Sequence, residues 1–175
     1  MLLAALASRA VAADVTVAVT DSSGTYRIHG EFRANISPKI AWQVLSDYDS
    51  IGRFVSSIRE SRLEHRPDGG LQLRQAASAG FFPIHRTVHV LLDLQEEPGR
   101  SIRFTDRLGQ DFSHYDGRWL LSPEPDGVHV RYEVEARPRG GSPAMLARAV
   151  MRGSARDLLD QVRAEMVRRG RLTDR

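Results

Sequence analysis

The chain has 175 residues, 41% of them hydrophobic and 27% charged, the proportions of one folded globular domain rather than a disordered or fibrous polymer. It contains no cysteine, which excludes a disulfide scaffold, a thiolate nucleophile, an iron–sulfur cluster and any cysteine-ligated zinc. The net charge of +3 is concentrated: residues 148–175 carry +4 and the remainder −1, so the basic surplus lies on a terminal segment rather than over a groove, and nucleic acid is not the expected partner.

From Met1 to Ala13 the chain is apolar apart from Ser8 and Arg9, and Val11 and Ala13 have the small-x-small spacing of an export-signal cleavage site. Residues 1–13 read as the back half of an export signal, which places the protein in the periplasm or outside the cell. The alternative is a short extension of a cytoplasmic protein. Residues 14–170 then form one domain, followed by a basic tail, 171–175. No apolar run approaches the ~20 residues that a membrane-spanning helix requires.

Strict alternation begins after Asp14: Val15, Val17 and Val19 alternate with Thr16, Ala18 and Thr20. A turn at Asp21–Gly24 leads into a second strand, with Tyr26, Ile28, Phe32 and Ala34 opposite Arg27, His29, Glu31 and Arg33. Ser37-Pro38 changes the period, because serine caps a helix and proline fits its first turn. Ile40, Ala41, Val44 and Leu45 follow at helical spacing. Asp47–Ser50 marks the cap of a second short helix ending near Phe54. Strands are predicted near residues 55–66, 71–79, 84–95, 101–107, 112–122 and 128–137, separated by Gly- and Pro-containing turns. Gly52, Gly80 and Gly117 are isolated and mark turns or bulges. From Ala144 the helical period returns, with Met151, Ala155, Leu158, Leu159, Val162 and Met166 on one face and Arg148, Arg152, Arg156 and Arg163 along its flank. The fold class is therefore α+β, a curved antiparallel sheet closed by one long C-terminal helix, an arrangement that leaves an apolar cavity between them.

His85, His89 and Asp93 would share one face of a helix, but the surrounding alternation makes this segment a strand. Four residues then span about 13 Å, too far to share one ion, and all three oppose Val88, Val90, Leu92 and Leu94. No metal site is expected there. Asp47 and Asp49 suit capping of the second helix better than acid–base chemistry. Asp111 and Tyr115 share strand parity with Trp119, and Gln75 shares it with Leu71 and Leu73, so each is a candidate polar point inside the cavity. No nucleophile, zinc, phosphate-loop or dinucleotide motif is present, so no catalytic residue, cofactor or metal is assigned.

The run Ala41-Trp-Gln-Val-Leu-Ser-Asp-Tyr-Asp49, then Phe54-Val-Ser-Ser-Ile-Arg-Glu-Ser-Arg62, resembles the cyclase/dehydrase and coenzyme Q-binding group of START-like (SRPBCC) proteins. Asp111-Phe-x-x-Tyr-x-Gly-x-Trp119 and the strand, proline and long helix from Tyr132 to Arg169 resemble the same group. The resemblance spans roughly residues 15–169. It implies a helix-grip fold around a hydrophobic cavity, and relatives that bind lipids, isoprenoid quinones or polyketides without a universal catalytic residue.

The expected function is binding or carriage of a hydrophobic small molecule between the sheet and the last helix. The expected lining is Phe54, Phe82, Phe104, Tyr115, Trp119, Tyr132, Leu158 and Val162, with Gln75 or Asp111 as polar anchors. The alternatives are a polyketide cyclase or aromatase, and a docking module whose basic helix flank meets a membrane surface, at least transiently, or another protein.

Overall fold

The computed structural model describes residues 14–81, 84–140 and 143–173, without the side chains of Phe81, Ile84 and His85. Residues 1–13, with the export pattern, lie outside the described residues, as does Phe82. Strands β1 (Thr16–Ser22) and β2 (Thr25–Ala34) form the expected hairpin. Their two-residue link, Ser23-Gly24, takes φ of 49° and 78°, the primed turn whose twist matches that of paired strands. Helix α1 (Pro38–Leu45) starts as its sequence dictates: Ser37 Oγ accepts from Ile40 N at 3.3 Å, and Pro38 occupies the first turn. A short 3-10 helix follows, Tyr48–Arg53.

Six more strands complete the sheet: β3 (Ile58–His65), β4 (Leu71–Phe81), β5 (Ile84–Glu97), β6 (Ser101–Asp106), β7 (Phe112–Glu124) and β8 (Gly127–Pro138). All neighbours are antiparallel in the order β1-β2-β8-β7-β6-β5-β4-β3, so the N-terminal hairpin is joined to the meander through β2 and β8. The third strand begins three residues later than Val55. That residue is fully buried, with its N–H donated to Ile51 O at 2.8 Å, and it plugs the core from the connection.

The alternation separates two surfaces. On the outer face, charged residues pair across strands: Arg27 with Glu135 at 2.8 Å, Arg118 with Glu133 at 2.6 Å and Arg107 with Asp93 at 2.6 Å. Such solvated pairs contribute roughly 0–1 kcal/mol each, so they favour register more than stability. The inner face presents Tyr26, Ile28, Phe32, Val130, Tyr132 and Val134, all buried. Helix α2 (Ala144–Thr173) lies on that face, against β1, β2, β4 and α1. Arg171 continues the helix rather than starting a separate tail.

Two glycines set how closely these parts approach. A Cβ at Gly30 would collide with Leu159 Cδ1, so glycine at this point lets α2 approach β2 closely without displacing that leucine. A Cβ at Gly117 would fall onto the Glu133 carbonyl, within 2.6 Å of the Phe104 ring and 2.8 Å of Val134. Gly117 therefore makes room inside a regular strand pairing, rather than marking a turn or bulge. Gly117→Ala should cost at least about 1–3 kcal/mol through overpacking, read as a lowered midpoint in thermal denaturation; an unchanged midpoint would show that the strands relax freely there.

The two halves of α2 are held differently. In the C-terminal half Leu159, Val162 and Met166 are at most 1% exposed, and Glu165 is 8% exposed. Arg169 ties this half to the α1 end of the molecule: Nη2 donates to Asp47 Oδ2 and Nε to Glu165 Oε1, each at 2.7 Å, with the guanidinium 5.7 Å from the centre of the Phe54 ring. Arg168 adds two donations to Glu165. In the N-terminal half, by contrast, Met145 is 84% exposed and Leu146 40%.

Candidate ligand cavity

Beneath the N-terminal half of α2 lies a cavity of about 650 Å³, within the range of single-ligand pockets, about 300–1,000 Å³. Its origin is a deficit of side-chain volume. Opposite Ala147, Val150, Met151 and Ala155 of the helix, the strands present Ala77, Ala79, Gly80 and Ala136, and no large side chain among the described residues fills the gap. Tyr26, Ile28, Val88, Tyr115 and Tyr132 form the sheet-side wall, and Leu158 closes the end towards the packed core. A larger depression, about 790 Å³, crosses the outer face of the sheet, but it is rimmed by charged side chains already paired with one another.

The aromatic wall is a connected stack. Phe112 and Tyr115 have ring centres 4.8 Å apart, Phe104 lies 5.8 Å from Tyr115, and Trp119 lies 4.5 Å from Tyr132. Burial pushes the phenols of both Tyr115 and Tyr132 above their ordinary value. The neighbouring Tyr115 phenol raises Tyr132 further.

Of the residues expected at the site, Asp111, Tyr115, Tyr132 and Leu158 line the cavity. Phe104 and Trp119 stand behind the lining, as the layer on which Tyr115 and Tyr132 rest. Phe54 belongs elsewhere, beneath the Arg169 guanidinium. Gln75 is spent on a hydrogen bond to Ser61 Oγ at 3.0 Å, under β3 rather than under α2. Val162 lies one turn beyond Leu158, where the helix is packed directly on the sheet, so it is core and not cavity wall.

Asp111 is present but already committed. Its carboxylate accepts from Arg86 Nη2 and from His89 N at 2.8 Å, and its side chain is 10% exposed. Burial alone would push this carboxyl up, yet the donors from His89 and Arg86 hold it below its ordinary value. Asp47 does not cap the 3-10 helix with its side chain but binds Arg169, and Asp49 accepts from Leu63 N at 2.8 Å. Asp93 pairs with Arg66 and Arg107 on the outer face. Among the described residues no group of three or more His, Asp or Glu side chains could hold a metal ion, and no helix is long and apolar enough to cross a membrane.

The expectation passed over Arg86 and Arg139, both of which line the cavity. Arg86 shares parity with Val88, the signal that would have found it. Arg139 lies in the link to α2, where periodicity carries no information. Tyr26, Ile28 and Met151 were legible as inward-facing residues, but not as cavity wall.

The sequence pattern of the family described as polyketide cyclase/dehydrase and lipid transport matches residues 35–163. Comparison with curated proteins gives no significant match. Among solved structures, the protein TTHA0849 of Thermus thermophilus superposes with a TM-score of 0.68 at 16% identity, over 81% of this chain and 97% of that one. An aromatase/cyclase, Zhui, from a Streptomyces species gives 0.68 at 16% identity, over 83% and 95%. A STAR-related lipid transfer protein fragment from Xanthomonas axonopodis gives 0.61 at 20% identity, over 87% and 98%. These likenesses establish the START-like, helix-grip fold. A curved eight-stranded sheet gripping one long helix, together with a pattern match over most of its length, makes this chain a member of the polyketide cyclase/dehydrase and lipid transport family.

Proposed function

We propose that the protein binds and carries one hydrophobic small molecule, such as a lipid, an isoprenoid quinone or a polyketide-like chain, in the cavity beneath the N-terminal half of α2. The observation that carries this reading is the cavity's construction: a volume of about 650 Å³ walled by aliphatic and aromatic side chains and left open by small residues facing one another. Ligand burial would supply roughly 25 cal/mol for each Å² of apolar surface removed from water, before the costs of association.

The test uses Met151→Trp, which places an indole in the lumen without touching Leu159 or Val162. Wild-type protein should bind a lipophilic fluorescent probe, and the variant should lose most of that binding while its urea midpoint stays within the range of a surface change. A wild-type protein that binds no such probe would sink the carrier reading. Native mass spectrometry of the purified protein would then identify a retained ligand by its mass.

A second reading is favoured by one observation, the Tyr115 phenol on the cavity lining beside Tyr132. In a cyclase or aromatase that phenol would donate a proton to a developing enolate, and Tyr115→Phe would abolish turnover while sparing binding. The exposed Met145 and Leu146, with Arg148 and Arg152 on the same helix, support transient contact with an anionic membrane during loading. Location outside the cytoplasm rests on the Met1–Ala13 pattern alone and is tested by cell fractionation.

A further inference from the structure

The cavity mouth has a charge that the rest of the lining does not balance. Arg86 of β5 lines the mouth as an exposed side chain with one amino group held by Asp111, and among the described residues its other N–H donors have no partner. Arg139, just beyond β8, donates its backbone N–H to Asp111 O and its side-chain Nε to Gly109 O, both at 2.8 Å. These bonds fix the two arginines around one loop, the β6–β7 connection. Asp111 is the only carboxylate among the described lining residues. Two guanidinium groups against one carboxylate leave the mouth with a formal charge of +1, beside a wall of Leu146, Ala147 and Val150.

We infer that the ligand is an anionic amphiphile, an apolar body with a carboxylate or phosphate head, whose head is held between Arg86 and Arg139 while its body fills the lumen. This deepens the carrier reading and rests on it. Guanidinium forks recognise carboxylate and phosphate by paired donors, and both arginines are exposed at the mouth, where an incoming head group can reach them. Asp111 is then a positioning residue, holding Arg86 in place rather than meeting the ligand. The volume suits one single-chain molecule.

The experiment compares oleate, 1-oleoyl lysophosphatidate and oleyl alcohol by isothermal titration calorimetry, below their aggregation concentrations. The readout is the ratio of anionic to neutral affinity. Wild-type protein should favour at least one anion over the alcohol by about tenfold or more, the effect of one charge-assisted hydrogen bond. Whichever anion binds tighter identifies the head as carboxylate or phosphate. Arg139→Gln should cut the ratio severalfold, and so should Arg86→Gln combined with Asp111→Asn, which leaves no unpaired buried carboxylate. A variant that merely loosened the cavity would weaken all three ligands and leave the ratio standing, which would overturn the assignment of the arginines. Equal binding of anion and alcohol to the wild type would overturn the head-group inference while leaving the carrier reading intact. Binding of none of the three, together with no binding of the lipophilic probe, would remove the carrier reading itself.

Discussion

Arg169→Ala is expected to lower the unfolding free energy by about 2 kcal/mol at neutral pH, the scale of charge-assisted hydrogen bonds in a partly buried network. The arginine bridges two carboxylates from distant parts of the chain and covers the Phe54 ring, so alanine removes all three contacts. Lysine restores the charge without the fork and should recover only part of the loss. A change below about 0.5 kcal/mol in urea unfolding, the range of ordinary surface substitutions, would show that the network is no more than a solvated cluster.

The same network gives a pH dependence. Hydrogen bonding from Arg168, followed by Arg169, holds the Glu165 carboxyl at about 2, below its ordinary 4.5, although burial opposes this. The unfolded chain thus takes up the proton more readily than the folded one. The stabilisation is complete above about pH 4.5 and is lost as the pH falls through about 2. The stability difference between wild type and Arg169→Ala should narrow over that window.

A second large effect separates neighbours in the helix. Leu159→Ala should cost about 2–5 kcal/mol, because its side chain is wholly buried against the sheet at Gly30 and its removal leaves a hole. Leu158→Ala should cost much less, since one side of Leu158 already faces the cavity and fewer contacts are lost. Urea midpoints of the two variants decide the matter. Equal losses would mean that the space beneath α2 is filled as tightly as the space beside it.

The strands were legible because alternation is local. Val128, Val130, Tyr132, Val134 and Ala136 follow one another at period two, and the structure places them together on the inner face of β8. The helix caps were legible where the partner is three residues away, as with Ser37 and Ile40. What failed was non-local. Asp47 looks like a cap in sequence, but its partner Arg169 is 122 residues further on. Leu158 and Val162 lie on one helical stripe, and only the arrangement of the opposing strands decides that the first lines a cavity and the second a packed core. Asp111 was legible as an inward polar residue, but Arg86, the residue that consumes its hydrogen-bonding capacity, sits on a different strand.

The cavity is shaped by absent side chains rather than present ones. Ala77, Ala79 and Ala136 on the sheet and Ala147, Ser154 and Ala155 on the helix each leave space that a larger residue would occupy. The α2 residues packed most tightly on the sheet, Leu159, Val162 and Met166 with the Arg169 clamp, belong to the other half of the helix. Enlarging or trimming a half-buried wall residue on the helix side, such as Val150 or Met151, therefore recontours the lumen at little risk to folding. Ligand preference in such a molecule can drift from one lineage to the next by single substitutions, each tolerated on its own, while the scaffold around it stays under separate constraint.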